Sequence, residues 1–163
     1  MPINLSPDLA APTAARRHAL VARAAKRDAA LAIGIDDLFI SNLVDRFYDS
    51  VRDDDLLGPI FAARISDWPT HLGRMKSFWG SILHNSGTYS GNPMLKHLAI
   101  PGLDRSHFDR WLTLFRTTLA DLTRDPAAAP HVEERARMIA TSLLNGIVIN
   151  RDGLAAARGV ENF

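Results

Sequence analysis

Apolar residues along this chain recur at steps of three and four, the spacing of amphipathic helices, and strand-like alternation is nearly absent. Leu20, Val21, Ala24 and Ala25 keep that spacing and predict a first helix over 14–32, ending near Gly34. A second helix starts at Asp36–Asp37, where carboxylates suit the positive end of a helix. Its apolar face is Ile40, Leu43, Val44, Phe47, Tyr48 and Val51. After the polar run 52–55, Gly58-Pro59 predicts a turn, with Ile60 and Phe61 pointing inward beyond it. In a third helix, Ser66 or Asp67 serves as the cap and Pro69 falls in the first turn. Trp68, Leu72, Met75, Trp79 and Ile82 form one stripe of it. His71, Met75, Phe78 and Ile82 widen that stripe, which places His71 on it or at its edge.

The segment 85–102 breaks the pattern with Asn85, Ser86, Gly87, Ser90, Gly91, Asn92, Pro93, Pro101 and Gly102. Only 93–99 suits a short helix, capped by Asn92 and opened by Pro93, so His97 stands on a short helix between two loops. A longer helix follows over about 104–124, with Phe108, Trp111, Phe115, Thr118 and Leu122 inward and Asp125-Pro126 as its stop. The last covers about 130–151 on Val132, Ala136, Ile139, Leu143 and Ile147. Residues 1–12, with three prolines, read as a loose lead-in, and the chain from Gly153 as a frayed tail. The expected organisation is an N-terminal extension 1–35, helical in part, an all-α domain 36–151 and a tail 152–163.

Composition narrows the chemistry. The 163 residues fit one domain with a real core, and 47% hydrophobic with 23% charged is ordinary for a soluble protein. A net charge of +1, with cations and carboxylates interspersed, offers no electrostatic case for nucleic acid or a membrane as partner. The absence of cysteine excludes disulfides, thiolate metal sites, iron–sulfur clusters and a thiol nucleophile. It is compatible with a cytoplasmic location. No stretch is long and apolar enough to span a bilayer. Basic residues from Arg16 to Arg27 break the Ala-rich start, which therefore lacks a signal-peptide layout.

Six histidines remain as candidate ligands or bases. No pair has zinc-protease helix spacing, and Glu-x-x-His, phosphate-loop and Gly-x-Ser-x-Gly patterns are missing. His18, His84, His107 and His131 stand among polar neighbours and read as solvated. His71 and His97 lie beside large apolar residues. Singly, each is more often a core histidine bonded to backbone than a ligand. The same holds for Tyr48 and Trp111, whose O–H and N–H usually find a backbone partner. Taken together with Phe47, Phe61, Met75, Phe78, Trp79, Leu98 and Met138, they admit another reading. One histidine supplies a single axial iron ligand, and the other guards the opposite side of a flat apolar group.

The residue blocks support that reading. Arg46-Phe47-Tyr48, Leu57-Gly58-Pro59-Ile60-Phe61, the helix from His71 to Phe78-Trp79, Gly87-Thr88-Tyr89-Ser90-Gly91-Asn92-Pro93-Met94-Leu95-Lys96-His97-Leu98, and His107-Phe108-Asp109-Arg110-Trp111-Leu112-Thr113-Leu114-Phe115 occur in that order. Over about 36–150 the chain resembles the group III truncated haemoglobins, bacterial globins; the lack of Gly-Gly pairs at the helix corners agrees. The resemblance implies an all-α truncated globin, a two-over-two helical sandwich around haem b, with an extra N-terminal helix outside the core. It makes His97 the proximal iron ligand. Tyr48 and Trp111 become distal donors and His71 the distal-helix histidine, whose role stays open between gating the pocket, the favoured reading, bonding the ligand through water and binding iron itself. Phe47, Ile60, Phe61, Met75, Phe78, Trp79, Leu98 and Met138 would line the haem, and Arg74, Lys96 and Tyr89 would meet its propionates. O2, NO, CO or cyanide would bind at the open position of a pentacoordinate iron. Two donors imply slow O2 release, suited to O2 and NO redox chemistry or detoxification rather than transport. NO-dioxygenase or peroxidase-like turnover, fed by an unidentified reductase, stays open. The alternatives are a haem-based gas sensor without turnover and a haem-free helical interaction module. A monomer or weak homodimer is expected.

Overall fold

Side-chain caps mark where most of the helices begin. The computed structural model describes residues 11–163, in which eight helices follow one another with no strand. They are α1 (Ala14–Ala32), α2 (Asp37–Asp53), α3 (Gly58–Ala62), α4 (Trp68–His84), α5 (Pro93–Leu98), α6 (Arg105–Leu122), α7 (Ala128–Asp152) and α8 (Leu154–Ala157). Thr13, Asp36, Asp67, Asn92 and Asp104 each accept a backbone N–H of the first turn of α1, α2, α4, α5 and α6. The expected lead-in lies mostly outside the described residues, since these begin at residue 11.

Two pairs of helices, α2 with α4 and α6 with α7, form the two-over-two sandwich, and α2 against α6 joins them. Leu43, Val44, Phe47 and Val51 of α2, Leu83 of α4, Leu112, Phe115 and Leu119 of α6, and Val132 and Ala136 of α7 are almost wholly buried. The short α5 leans on α7, and α1 lies outside against α4. Of α1, only Ala30 is buried. Leu20 and Val21, from the apolar spacing that predicts the helix, face solvent. The Ala-rich side of α1 lacks the bulk to build a second core.

The expected turn at Gly58-Pro59 is instead the start of α3, with Pro59 in its first turn. A β-carbon on residue 58 would stand 2.7 Å from the Arg52 carbonyl oxygen, so glycine lets α3 fold back on the end of α2. The joint is held by Asp54, whose side chain is 1% exposed. Its Oδ1 accepts the Leu56 and Leu57 N–H groups, and its Oδ2 accepts Arg110 Nε from α6. Burial alone would raise this carboxyl, but the backbone N–H of Leu57, Arg110 and the N–H of Leu56 outweigh it and hold it below the usual range.

Two further expectations are corrected. His84 is buried rather than solvated: its Nε2 meets the Ile35 carbonyl at 2.6 Å and its Nδ1 stands 3.3 Å from Asp37 Oδ1. It thus ties the end of α4 to the joint between α1 and α2. The tail is docked rather than frayed. Arg105 Nη1 donates to the Glu161 carbonyl, the Arg105 guanidinium lies over the Phe163 ring, and that ring packs near Phe108. These aromatic contacts are too distant in sequence to read as periodicity.

Candidate functional site

The site is assembled from the short helix outward. Asn92 caps α5 and Pro93 opens it. On α7, a β-carbon at Gly146 would overlap the Met94 thioether, so this glycine lets α5 settle closely on α7. One turn on, His97 Nδ1 lies 2.6 Å from the Pro93 carbonyl oxygen. A carbonyl only accepts, so Nδ1 carries the proton and Nε2 keeps its lone pair. That nitrogen is the one free to ligate a metal.

His97 borders a cavity of about 1090 Å³ between the layers. Tyr48 of α2, Ile60 and Phe61 of α3, and His71, Arg74, Met75, Phe78 and Trp79 of α4 line it. Tyr89, Lys96 and His97 follow, then Trp111 of α6. The structure therefore brings these predicted site residues to one space. Phe47 and Leu98 are displaced from the wall. Phe47 is buried behind it, edge-on to Tyr48, Trp111 and Phe115, and so sets the pose of both expected donors. Leu98 packs against the core.

Met138 is 56% exposed and does not line the cavity; Ile139, Ala140 and Leu143 do. One residue of helical phase turns a side chain by about 100°, enough to exchange wall for solvent. Sequence reasoning also missed Arg64, Ile100, Leu103, His107 and Phe108 on the wall. For His107 a signal existed: it stands four residues before Trp111 and shares its helix face.

Aromatic contacts order the Tyr48 end of the cavity. The Tyr48 ring meets His71 edge-on, centroids 5.1 Å apart, and also meets Phe61. Trp111 stacks on Phe115, which stacks on Trp79. Burial, helped by Tyr89, pushes the Tyr48 phenol far up, so it stays a donor at physiological pH. His71 is pushed down by burial first, then by Lys96 and Arg74, and is neutral at pH 7. Its Nε2 is buried and has no protein partner among the described residues.

These features test whether haem b suits the residues present. No group of three or more His, Cys, Asp or Glu side chains that could hold a metal exists among the described residues. A metal beside His97 would draw its other ligands from a cofactor, which a porphyrin provides. The wall offers flat apolar surface, with the cations Arg64, Arg74 and Lys96 for carboxylates. His71 lines the same wall, and its buried Nε2 has no protein partner among the described residues. The residues fit the group.

Comparison with known proteins gives the same family. A family described as bacterial-like globin matches residues 31–145. The group 3 truncated hemoglobin ctb of Campylobacter jejuni subsp. jejuni serotype O:2 is 34% identical over 110 residues, which cover 65% of this chain and 86% of that protein. The crystal structure of group III truncated hemoglobin from Campylobacter jejuni superposes with a TM-score of 0.65 at 33% identity, over 69% of this chain and 91% of the other. The chain belongs to the bacterial-like globin family and is a truncated haemoglobin of the group III type.

Proposed function

We propose that this protein holds haem b through His97 Nε2, binds O2 and other diatomic ligands, and releases O2 slowly enough for redox chemistry on O2 or NO rather than carriage. When bound, the cofactor supplies a reversible position for a diatomic molecule. The chain's residues determine how long that molecule stays. Tyr48 is kept protonated by burial, so its O–H is a permanent donor. Trp111 N–H is a second, since indole nitrogen can only donate. Both side chains reach the cavity that His97 borders, and Phe47 braces both. A hydrogen bond to a charged acceptor contributes about 1.5–3 kcal/mol, and each 1.4 kcal/mol is tenfold in rate. Two such donors retard loss of a ligand that has gained negative charge by roughly a hundredfold or more.

The observation that carries this reading is that Tyr48, Trp111 and His71 line the same cavity as His97, whose Nδ1 is engaged by the Pro93 carbonyl. His71 acts as a gate: held neutral and edge-on to Tyr48, it shields the space and lends a polar atom to an incoming ligand. Turnover of NO would draw electrons from a reductase. Stopped-flow O2 dissociation from the haem-loaded protein, with Tyr48→Phe and Trp111→Phe, tests the reading. Unchanged release in both variants refutes it.

Gas sensing without turnover is the second reading. It rests on the contact of α1 with α4, the helix that carries His71. Sensing requires ligand binding to alter that contact. Hydrogen exchange over residues 14–32 that is identical with and without CO removes it.

A further inference from the structure

His107 has two neighbourhoods. At the start of α6 it completes a capping box: the Asp104 backbone N–H donates to His107 Nδ1 at 3.2 Å, and Asp104 Oδ1 lies 3.1 Å from the same nitrogen. In the neutral ring, the first contact needs a bare Nδ1 and leaves the proton on Nε2. In the imidazolium, Nδ1 donates to the Asp104 carboxylate and Nε2 is again protonated. A neutral ring with its proton on Nδ1 would donate to the carboxylate instead and lose the bond from the Asp104 N–H; the capping-box bond therefore selects the forms that present an Nε2–H, on the edge of the ring turned away from the cap.

The rest of the ring belongs to the cavity. The side chain is only 17% exposed and borders the space beside Ile100, Leu103 and Phe108, one turn ahead of Trp111. A donor held in an apolar wall calls for an acceptor. Arg74 and Lys96 line the same cavity from α4 and α5, and His107 lines it from α6. Asp104 backs it with a carboxylate held ionised by Ser106 first and by His107.

We infer that His107 Nε2–H binds a carboxylate of the haem, so that the capping histidine of α6 is also a cofactor-binding residue. This rests on the reading that the cavity holds haem. Capping and binding can be separated, because Glu and Gln at this helix position also close a capping box. His107→Glu keeps the cap and places an anion on the wall. His107→Gln keeps the cap with its amide oxygen and removes the ionisable donor. The readout is the rate of hemin transfer from the loaded protein to an excess of a scavenging apoglobin, with haem and with its dimethyl ester.

His107→Glu should lose haem about tenfold faster than wild type, a difference of about 1.4 kcal/mol. His107→Gln should lose it severalfold faster. Both differences should vanish with the dimethyl ester, which has no carboxylate to repel or release. Rates equal to wild type with haem overturn the inference, as does an acceleration that persists with the ester. If His107→Glu fails to fold, His107→Gln carries the same comparison. A wild-type protein that takes up no haem overturns the cofactor reading instead.

Discussion

Tyr48 and His71, from neighbouring helices of one layer, meet edge to face with ring centroids 5.1 Å apart and planes at 89°. The tyrosine brings a hydroxyl that burial keeps protonated, and the histidine brings a neutral ring with an unpaired nitrogen. A hydroxyl held protonated thus stands beside a ring that burial keeps from charging.

Removing one donor should show directly in kinetics. Tyr48→Phe loses a bond of about 1.5–3 kcal/mol and should speed O2 release by roughly tenfold to a hundredfold. Trp111→Phe should act in the same direction, and the double variant should deviate from additivity because Phe47 braces both side chains. Stopped-flow displacement by CO measures all three.

The proximal assignment predicts colour and its loss. The purified wild type should be red with a Soret band, and His97→Ala should lose the native iron spectrum. A His97→Ala protein with an unchanged spectrum would assign the axial ligand elsewhere.

The pH dependence of stability follows from His71. Its folded-state affinity for protons is depressed by burial and then by Lys96 and Arg74, below the value of 6.5 for an unhindered imidazole. Its contribution is therefore fully present above pH 6.5 and is lost as pH falls towards the folded value. Urea midpoints of the haem-free protein should drop between pH 7.5 and 5.5 more steeply for wild type than for His71→Leu. Parallel profiles would refute this.

Gly58 should not tolerate even one added methyl. The Arg52 carbonyl that its β-carbon would meet at 2.7 Å is backbone and cannot swing aside. Gly58→Ala should cost about 1–3 kcal/mol, the usual range for overpacking, read as a lower thermal midpoint. Because α3 carries Ile60 and Phe61, weaker haem retention should accompany it.

Asp54 should be the acid-sensitive rivet of the same corner. Its carboxyl is held low in the folded state, so its contribution is present above the unfolded value of 3.8 and disappears as pH falls through the folded one. Asp54→Ala should cost about 2 kcal/mol at pH 7, since two backbone N–H groups and Arg110 lose their acceptor. Its deficit against wild type should shrink in acid; a constant deficit down to pH 3 would exclude the ionised form as the source.

Much of this protein was legible from local chemistry. Asp36, Asp67, Asn92 and Asp104 cap helices within three residues of themselves, and the step of three and four marks which faces turn inward. For that reason α1, α2, α4, α5 and α6 start within a residue of where the pattern puts them, and the ordered motif blocks name the family. The tertiary structure decided what depends on contacts distant in the chain. Residue 58 has to be glycine because α3 folds onto the Arg52 carbonyl, a contact that its immediate neighbours do not reveal. His84 is buried because the Ile35 carbonyl arrives from another element, and the tail docks because Arg105 waits for it. On α7, packing against α5 and α6 settled the helical phase and put Ile139 rather than Met138 on the wall. Hydrogen bonds within a turn are written in adjacent residues. Which of two neighbouring side chains faces a cavity depends on the rotation of a whole helix, and only its packing partners fix that rotation.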